Sequence, residues 1–97
     1  MRIIALKTLK DFWHDYPDSE EALKSWFVVA RKADWKTPSE VKEAYGNASI
    51  LQEGRVVFNI AGNKYRLIVW INYPYRIVYV RFVGTHRQYD KVDAQII

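Results

Sequence analysis

The spacing of hydrophobic residues along this chain changes once, near residue 48. Before that point it is helical. Met1 to Ala5 reads as a short opening strand. Leu6, Leu9, Phe12, Trp13 and Tyr16 then fall on one helical face, and Pro17 stops that helix. Asp18, with Glu21 three residues on, predicts a capping box in which Asp takes the Ser/Thr role. Leu23, Trp26, Phe27 and Ala30 follow at i, i+3, i+4 and i+7, so residues 19–33 read as a second amphipathic helix. Thr37-Pro38-Ser39-Glu40 signals a third start, with Thr as N-cap, Pro at N1 and Glu at N3, and Gly46 ends it.

After residue 48 the pattern alternates. Arg55 to Asn59, Lys64 to Asn72 and Ile77 to Val83 are rich in Val, Ile, Phe, Tyr and Trp, with turn signals at Ala61-Gly62 and Tyr73–Arg76. This predicts a three-stranded antiparallel meander. A short helix closes the chain, with Thr85 as N-cap and Gln88 completing a capping box. The expected class is α+β: a small antiparallel sheet with N-terminal helices on one face and a short C-terminal helix. Residues 1–97 contain no repeat, low-complexity tract or linker, and read as a single domain.

Alternation also sorts side chains between the two sheet faces. With Asn59 opposite Lys64 and Asn72 opposite Ile77, one face collects Val56, Phe58, Tyr65, Leu67, Val69, Ile71, Val78, Val80 and Phe82. It is uncharged and suits the helices. The other collects Arg55, Val57, Asn59, Lys64, Arg66, Ile68, Trp70, Tyr79, Arg81 and Val83, with Arg66 and Arg81 near neighbours. Like charges on adjacent strands repel, so this face calls for an anionic occupant. A phosphate backbone would serve, because a guanidinium fork holds two of its oxygens. A solvated charged face is the plainer reading, and a one-residue slip in either hairpin would separate the arginines.

Charge agrees with that placement. Residues 1–48 carry eight Lys/Arg and eight Asp/Glu, whereas residues 49–97 carry seven Lys/Arg and three acids, so the formal net of +4 lies in the second half. Apolar residues make up 49% of the chain and aromatics 15%, which supplies a core and argues against disorder. The absence of cysteine removes disulfides and thiolate metal sites. Two well-separated histidines without H-E-x-x-H spacing argue against zinc, and no phosphate-binding glycine motif is present; no metal or cofactor is expected. With no membrane-spanning stretch and no signal-peptide pattern, a soluble cytoplasmic protein is expected.

Candidate chemistry follows the last strand, in Gly84-Thr85-His86-Arg87-Gln88-Tyr89-Asp90. His86, Tyr89 and Asp90 share one side of a helical turn, at the edge of the arginine-bearing face. That set suits acid–base work, since His titrates near neutrality. A His at a helix start also serves as a capping or packing residue, and Tyr89 could belong to the core. His14, within a helix between Trp13 and Asp15, reads as structural.

These segments resemble the HigB toxins, within the RelE-like group. The resemblance is carried by Val56-Val-Phe-Asn-Ile60 through Gly62-Asn-Lys-Tyr-Arg66, and by Tyr79-Val-Arg-Phe-Val-Gly-Thr-His-Arg-Gln-Tyr-Asp90. Those stretches match a V-F-N-I-x-G-N-x-x-R hairpin and a terminal R-x-x-x-T-H-x-x-Y-D motif. The opening Lys7-Thr-Leu-Lys-Asp-Phe-Trp13 followed by Tyr16-Pro17 is similar as well.

The resemblance implies a RelE-like fold and a metal-independent endoribonuclease that cuts mRNA, commonly on the ribosome. It also implies a HigA-like helix-turn-helix antitoxin as partner. Arg66, Arg81, His86 and Tyr89 are the implied catalytic groups, with Lys64 as a further candidate. Arg55, Asn59, Tyr79, Arg87 and Lys91 are expected to bind RNA, and Asp90 to orient His86. The expected reaction is attack of an RNA 2′-OH on the adjacent phosphate. Two other readings stand beside it: a ParE-like gyrase poison without enzymatic activity, and an inactive RNA- or antitoxin-binding module.

Overall fold

The computed structural model describes residues 1–97. Strand β1 (Arg2–Ile4) leads into helix α1 (Leu6–Asp15), a 3-10 turn (Pro17–Ser19), helix α2 (Glu20–Lys32) and helix α3 (Pro38–Ala44). Strand β2 (Ser49–Ile50) and a second 3-10 turn (Gln52–Gly54) precede strands β3 (Arg55–Ile60), β4 (Tyr65–Asn72) and β5 (Ile77–Thr85). Helix α4 (His86–Tyr89) follows β5 directly. The strands form one mixed sheet in the order β1-β5-β4-β3-β2, with β1 parallel to β5 and all other pairs antiparallel. The expected meander is thus the centre of a five-stranded sheet. Two-residue β2 was missed because it is too short to show a period.

Helices α1, α2 and α3 cover one face of the sheet, as their apolar spacing predicts. Leu9, Leu23, Trp26, Ala30 and Val41 pack with Val56, Phe58, Leu67, Val69, Ile71 and Val78 in one core. Leu9 has no exposed surface, so Leu9→Ala should cost about 2–5 kcal/mol through lost transfer energy and a cavity. Thr37 caps α3 as predicted, its Oγ1 accepting from the Glu40 N–H at 3.3 Å. Asp18 does not cap α2, whose N-cap residue Ser19 makes no side-chain cap bond. Its carboxylate instead accepts from Lys64 Nζ and Tyr65 Oη, tying the 3-10 turn to the β3–β4 hairpin.

The hairpin registers differ from expectation in two ways. The first turn takes four residues, Ala61 to Lys64, so Asn59 faces Arg66 rather than Lys64. That is a shift by an even step and leaves the faces unchanged. The second register begins as predicted, with Asn72 opposite Ile77, but a β-bulge interrupts it: Val69 faces Val80 while Ile68 faces Phe82. Arg81 is the extra residue, and beyond it every side chain changes face. Phe82, expected under the helices, lies on the opposite face with Val57 and Ile68. Val83, expected on the open face, packs against the helical core.

The face away from the helices is partly covered. Tyr89, Val92, Ala94 and Ile97 fold back over Val57, Ile68 and Phe82, joined by Leu51, and make a second small core. Only the two ends of that face remain open.

Candidate functional site

One open end is organised around a backbone oxygen. The capping box at α4 forms as predicted: Thr85 Oγ1 accepts from the Gln88 N–H at 3.2 Å, and Gln88 Oε1 accepts from the Thr85 N–H at 2.8 Å. This starts α4 at the last residue of β5 and sets His86 over the β3–β4 turn. His86 Nε2 donates to the carbonyl oxygen of Asn63 in that turn. The same oxygen accepts from Arg66 Nη1 at 3.2 Å, and Arg66 also reaches the Tyr65 carbonyl at 3.3 Å. The Arg66 guanidinium lies 5.9 Å from the Tyr89 ring centroid, a cation–π distance. Arg66 therefore shares one oxygen with His86 and lies beside the Tyr89 ring. Because Nε2 carries the proton shared with Asn63, neutral His86 keeps its lone pair on Nδ1.

The partner of Arg66 across the ladder is Gly84. A Cβ at Gly84 would stand 2.5 Å from Phe82 Cζ and 2.7 Å from Gln88 Oε1. The glycine thus admits both the Phe82 ring and the capping glutamine.

The other open end lies around the bulge. Arg81, Arg55, Trp70 and Glu53 border a depression of about 470 Å³. Trp70 and Tyr79 stack across β4 and β5, with centroids 5.0 Å apart and planes at 23°. Arg55 Nε donates to the Ile97 backbone oxygen at 3.1 Å, and its Nη1 lies 3.9 Å from Glu53. Arg81 is exposed and carries no ion pair. It was expected beside Arg66, but it stands three residues along β5 from Gly84, the partner of Arg66. That is about 10 Å at the usual strand rise. The bulge lengthens this spacing by one residue.

The remaining candidates are scattered. Lys64 sits in the turn and pairs with Asp18, not with the arginines. Hydrogen bonding to Lys64, then to Tyr65, holds the Asp18 carboxyl below its ordinary value, and the same contact raises Lys64. Asn59 lines an edge depression with Tyr45, Asn47 and Gly62. Arg87 and Lys91 are exposed. Asp90 is exposed, and its backbone N–H bonds to the His86 carbonyl at 2.9 Å; the imidazole itself is held by Asn63. No three His, Cys, Asp or Glu side chains converge as metal ligands.

Sequence reasoning missed Asn63 and Glu53. Asn63 acts through its carbonyl, which any residue has, so only the G-N-K turn composition hinted at it. Glu53 precedes a glycine in a turn that no periodicity marks.

The family described as HigB toxin, the RelE-like toxic component of a toxin–antitoxin system, matches residues 19–92. This chain belongs to the HigB toxin family. Curated relatives agree over nearly the full length. An mRNA interferase HigB of Escherichia coli O6:H1 (strain CFT073) is 29% identical over 94 residues, 95% of this chain and 91% of that protein. An mRNA interferase toxin HigB of Escherichia coli K12 is 28% identical, over 97% of this chain and 92% of its own length. An mRNA interferase HigB of Shigella flexneri shows the same 28% identity and the same coverage. Membership in the HigB family carries an antitoxin partner with it. No helix is long and apolar enough to cross a membrane.

Proposed function

We propose that this HigB-family chain is an endoribonuclease that cleaves mRNA and acts as a single cytoplasmic domain. Its activity would be exerted on ribosome-bound message and restrained by a HigA-type helix-turn-helix antitoxin. The observation that carries the reading is the meeting of Arg66 and His86 on the Asn63 carbonyl, with the Tyr89 ring beside Arg66. A cation, a titratable base and a phenol at one groove end supply the groups that phosphodiester transesterification needs.

In this reading His86 Nδ1 takes the proton from the RNA 2′-OH. The 2′ oxygen bonds to phosphorus, and the bond from phosphorus to the 5′ oxygen breaks. Tyr89 returns a proton to the leaving 5′ oxygen, so the products are a 2′,3′-cyclic phosphate and a free 5′-OH. Arg66 stabilises charge on the pentacoordinate phosphorus, commonly the largest single contribution to such a step. The spacing of about 10 Å along the strand supports a role for Arg81 at a neighbouring phosphate rather than at the scissile one. Arg55, Tyr79, Arg87 and Lys91 continue the RNA track, with Asn59 at its edge. Lys64, engaged with Asp18, stays outside the proton path. Asp90 closes the α4 turn through its backbone N–H, while Asn63 sets the direction of the His86 ring.

The test is cleavage of a defined message by the purified chain, both free and loaded on ribosomes, with end-group analysis of the products. A 2′,3′-cyclic phosphate, and loss of cutting when the 2′-OH at the cleavage site is replaced by hydrogen, are expected. Cutting of the 2′-deoxy substrate would overturn the mechanism.

A further inference from the structure

We propose that the depression bounded by Glu53, Arg55, Trp70 and Arg81 is a nucleobase subsite that selects guanine. The proposal rests on the endoribonuclease reading for its setting, because Arg81 at the rim would hold the phosphate of the nucleotide whose base enters. Its volume, about 470 Å³, is that of a small-ligand pocket.

Three features make it a built site. The first is the platform. Trp70 is half-buried, and its ring is fixed by stacking on Tyr79. Its indole edge is held from above by Gly54. A Cβ there would stand 3.0 Å from Trp70 Nε1 and 2.7 Å from the Ile71 carbonyl, and the residue has a φ of +81°. An aromatic wall that is already ordered stacks a base without first paying to order itself.

The second is backbone strain. Glu53 occupies the left-handed region with φ 56° and ψ 37°. This is uncommon for a residue with a side chain, and such strain gathers at functional sites. The turn presents the Glu53 side chain at the mouth of the depression, where it is 83% exposed.

The third is charge. Among the groups bordering the depression, Glu53 is the one acid, beside two arginines. A carboxylate there opposes binding of a polyanion. Its contact with Arg55, at 3.9 Å and with the carboxylate itself 83% exposed, is long and contributes little to the fold. A hydrogen bond to a base gives it a use. An ionised carboxylate is an acceptor only, with two oxygens side by side. Guanine alone presents two adjacent donors on its pairing edge, N1–H and the exocyclic amino group. Adenine and cytosine each set a ring-nitrogen acceptor beside their donor, and uracil sets carbonyls beside its one N–H. Both carboxylate oxygens are therefore matched only by guanine.

The experiment titrates the full chain with guanosine, adenosine, cytidine and uridine 3′-monophosphates, read by calorimetry and tryptophan fluorescence. Guanosine 3′-monophosphate should bind roughly tenfold or more tighter than the others, the discrimination typical of a two-bond base contact. Glu53→Gln should bring the four within about threefold of one another, and Trp70→Phe should weaken all four while circular dichroism confirms the fold. Equal binding of the four by the unaltered chain, or guanine preference retained in Glu53→Gln, would overturn the subsite. The readout is binding, so it is independent of catalysis. Selective binding without RNA cleavage would sustain the subsite and sink the nuclease reading. Cleavage with base-indifferent binding would do the reverse.

Discussion

His86 and Asn63, 23 residues apart in sequence, are joined by a hydrogen bond from the imidazole Nε2 to a backbone carbonyl. The contact fixes which nitrogen carries the proton and leaves Nδ1 for a substrate. It also couples the start of α4 to the β3–β4 turn. His86→Ala should reduce RNA cleavage by about 100- to 10,000-fold, the usual contribution of a general acid or base. Its far-ultraviolet circular dichroism should be unchanged, since His86 is exposed. A variant that cuts at wild-type rate would remove His86 from the mechanism.

The separation of the two arginines predicts different kinetic signatures. Arg66→Ala should lower kcat by roughly 100- to 1,000-fold, as the loss of a transition-state charge contact does. Arg81→Ala should act mainly on RNA binding, raising KM and flattening the salt dependence of affinity by about one phosphate contact. Equal losses in kcat for the two variants would mean that both hold the scissile phosphate.

Gly84→Ala should destabilise the fold by about 1–3 kcal/mol, because the added methyl forces Phe82 out of a packed position. The Phe82 Cζ atom would be 2.5 Å from the new carbon, and Gln88 of the capping box 2.7 Å. Chemical denaturation measures the loss. Cleavage should fall as well, since α4 and His86 are anchored by that capping glutamine.

The Asp18–Lys64–Tyr65 contact predicts a pH dependence of stability. Hydrogen bonding to Lys64 lowers the Asp18 pKa from its ordinary 3.8. Its contribution is therefore complete above about that pH, and is lost as pH falls through the lower folded value. Lys64 is raised from 10.5 by the same contact, so its contribution is complete below that pH and lost as pH rises through the higher folded value. Melting temperature should be flat with respect to this pair between those limits. Asp18→Asn should lower the plateau and blunt the acid limb; an acid limb unchanged in Asp18→Asn would place its origin elsewhere.

Lys64→Ala tests whether that lysine belongs to the groove. With its ammonium on Asp18, kcat for RNA cleavage should stay within about threefold of wild type, while melting temperature falls slightly. A loss of kcat comparable to that of Arg66→Ala would return Lys64 to the chemistry.

Much of this molecule is legible in its sequence because the signals are local. Helical spacing from Leu6 to Ala30 marks α1 and α2, and the Thr37 cap and the Thr85–Gln88 box sit where their residue types predict. Alternation places Val56, Phe58, Leu67 and Val69 under the helices, and a shift of two in the first hairpin does no harm because the period is two. The motifs around Arg66, Arg81 and His86 name the family. What tertiary structure alone decided is the spacing of those groups. The bulge at Arg81 adds one residue to one strand, moves Phe82 and Val83 across the sheet and sets the two arginines one residue further apart; no pattern in a strand of Val, Tyr, Arg and Phe announces it. Asp18 had the position of a helix cap and was claimed by Lys64 and Tyr65, more than forty residues away in sequence. Asn63 and Glu53 contribute a carbonyl and a strained turn, which become features only when the chain brings His86 and Trp70 to them. Periodicity specifies which face a residue occupies, whereas long-range packing sets how far apart the functional groups on that face stand.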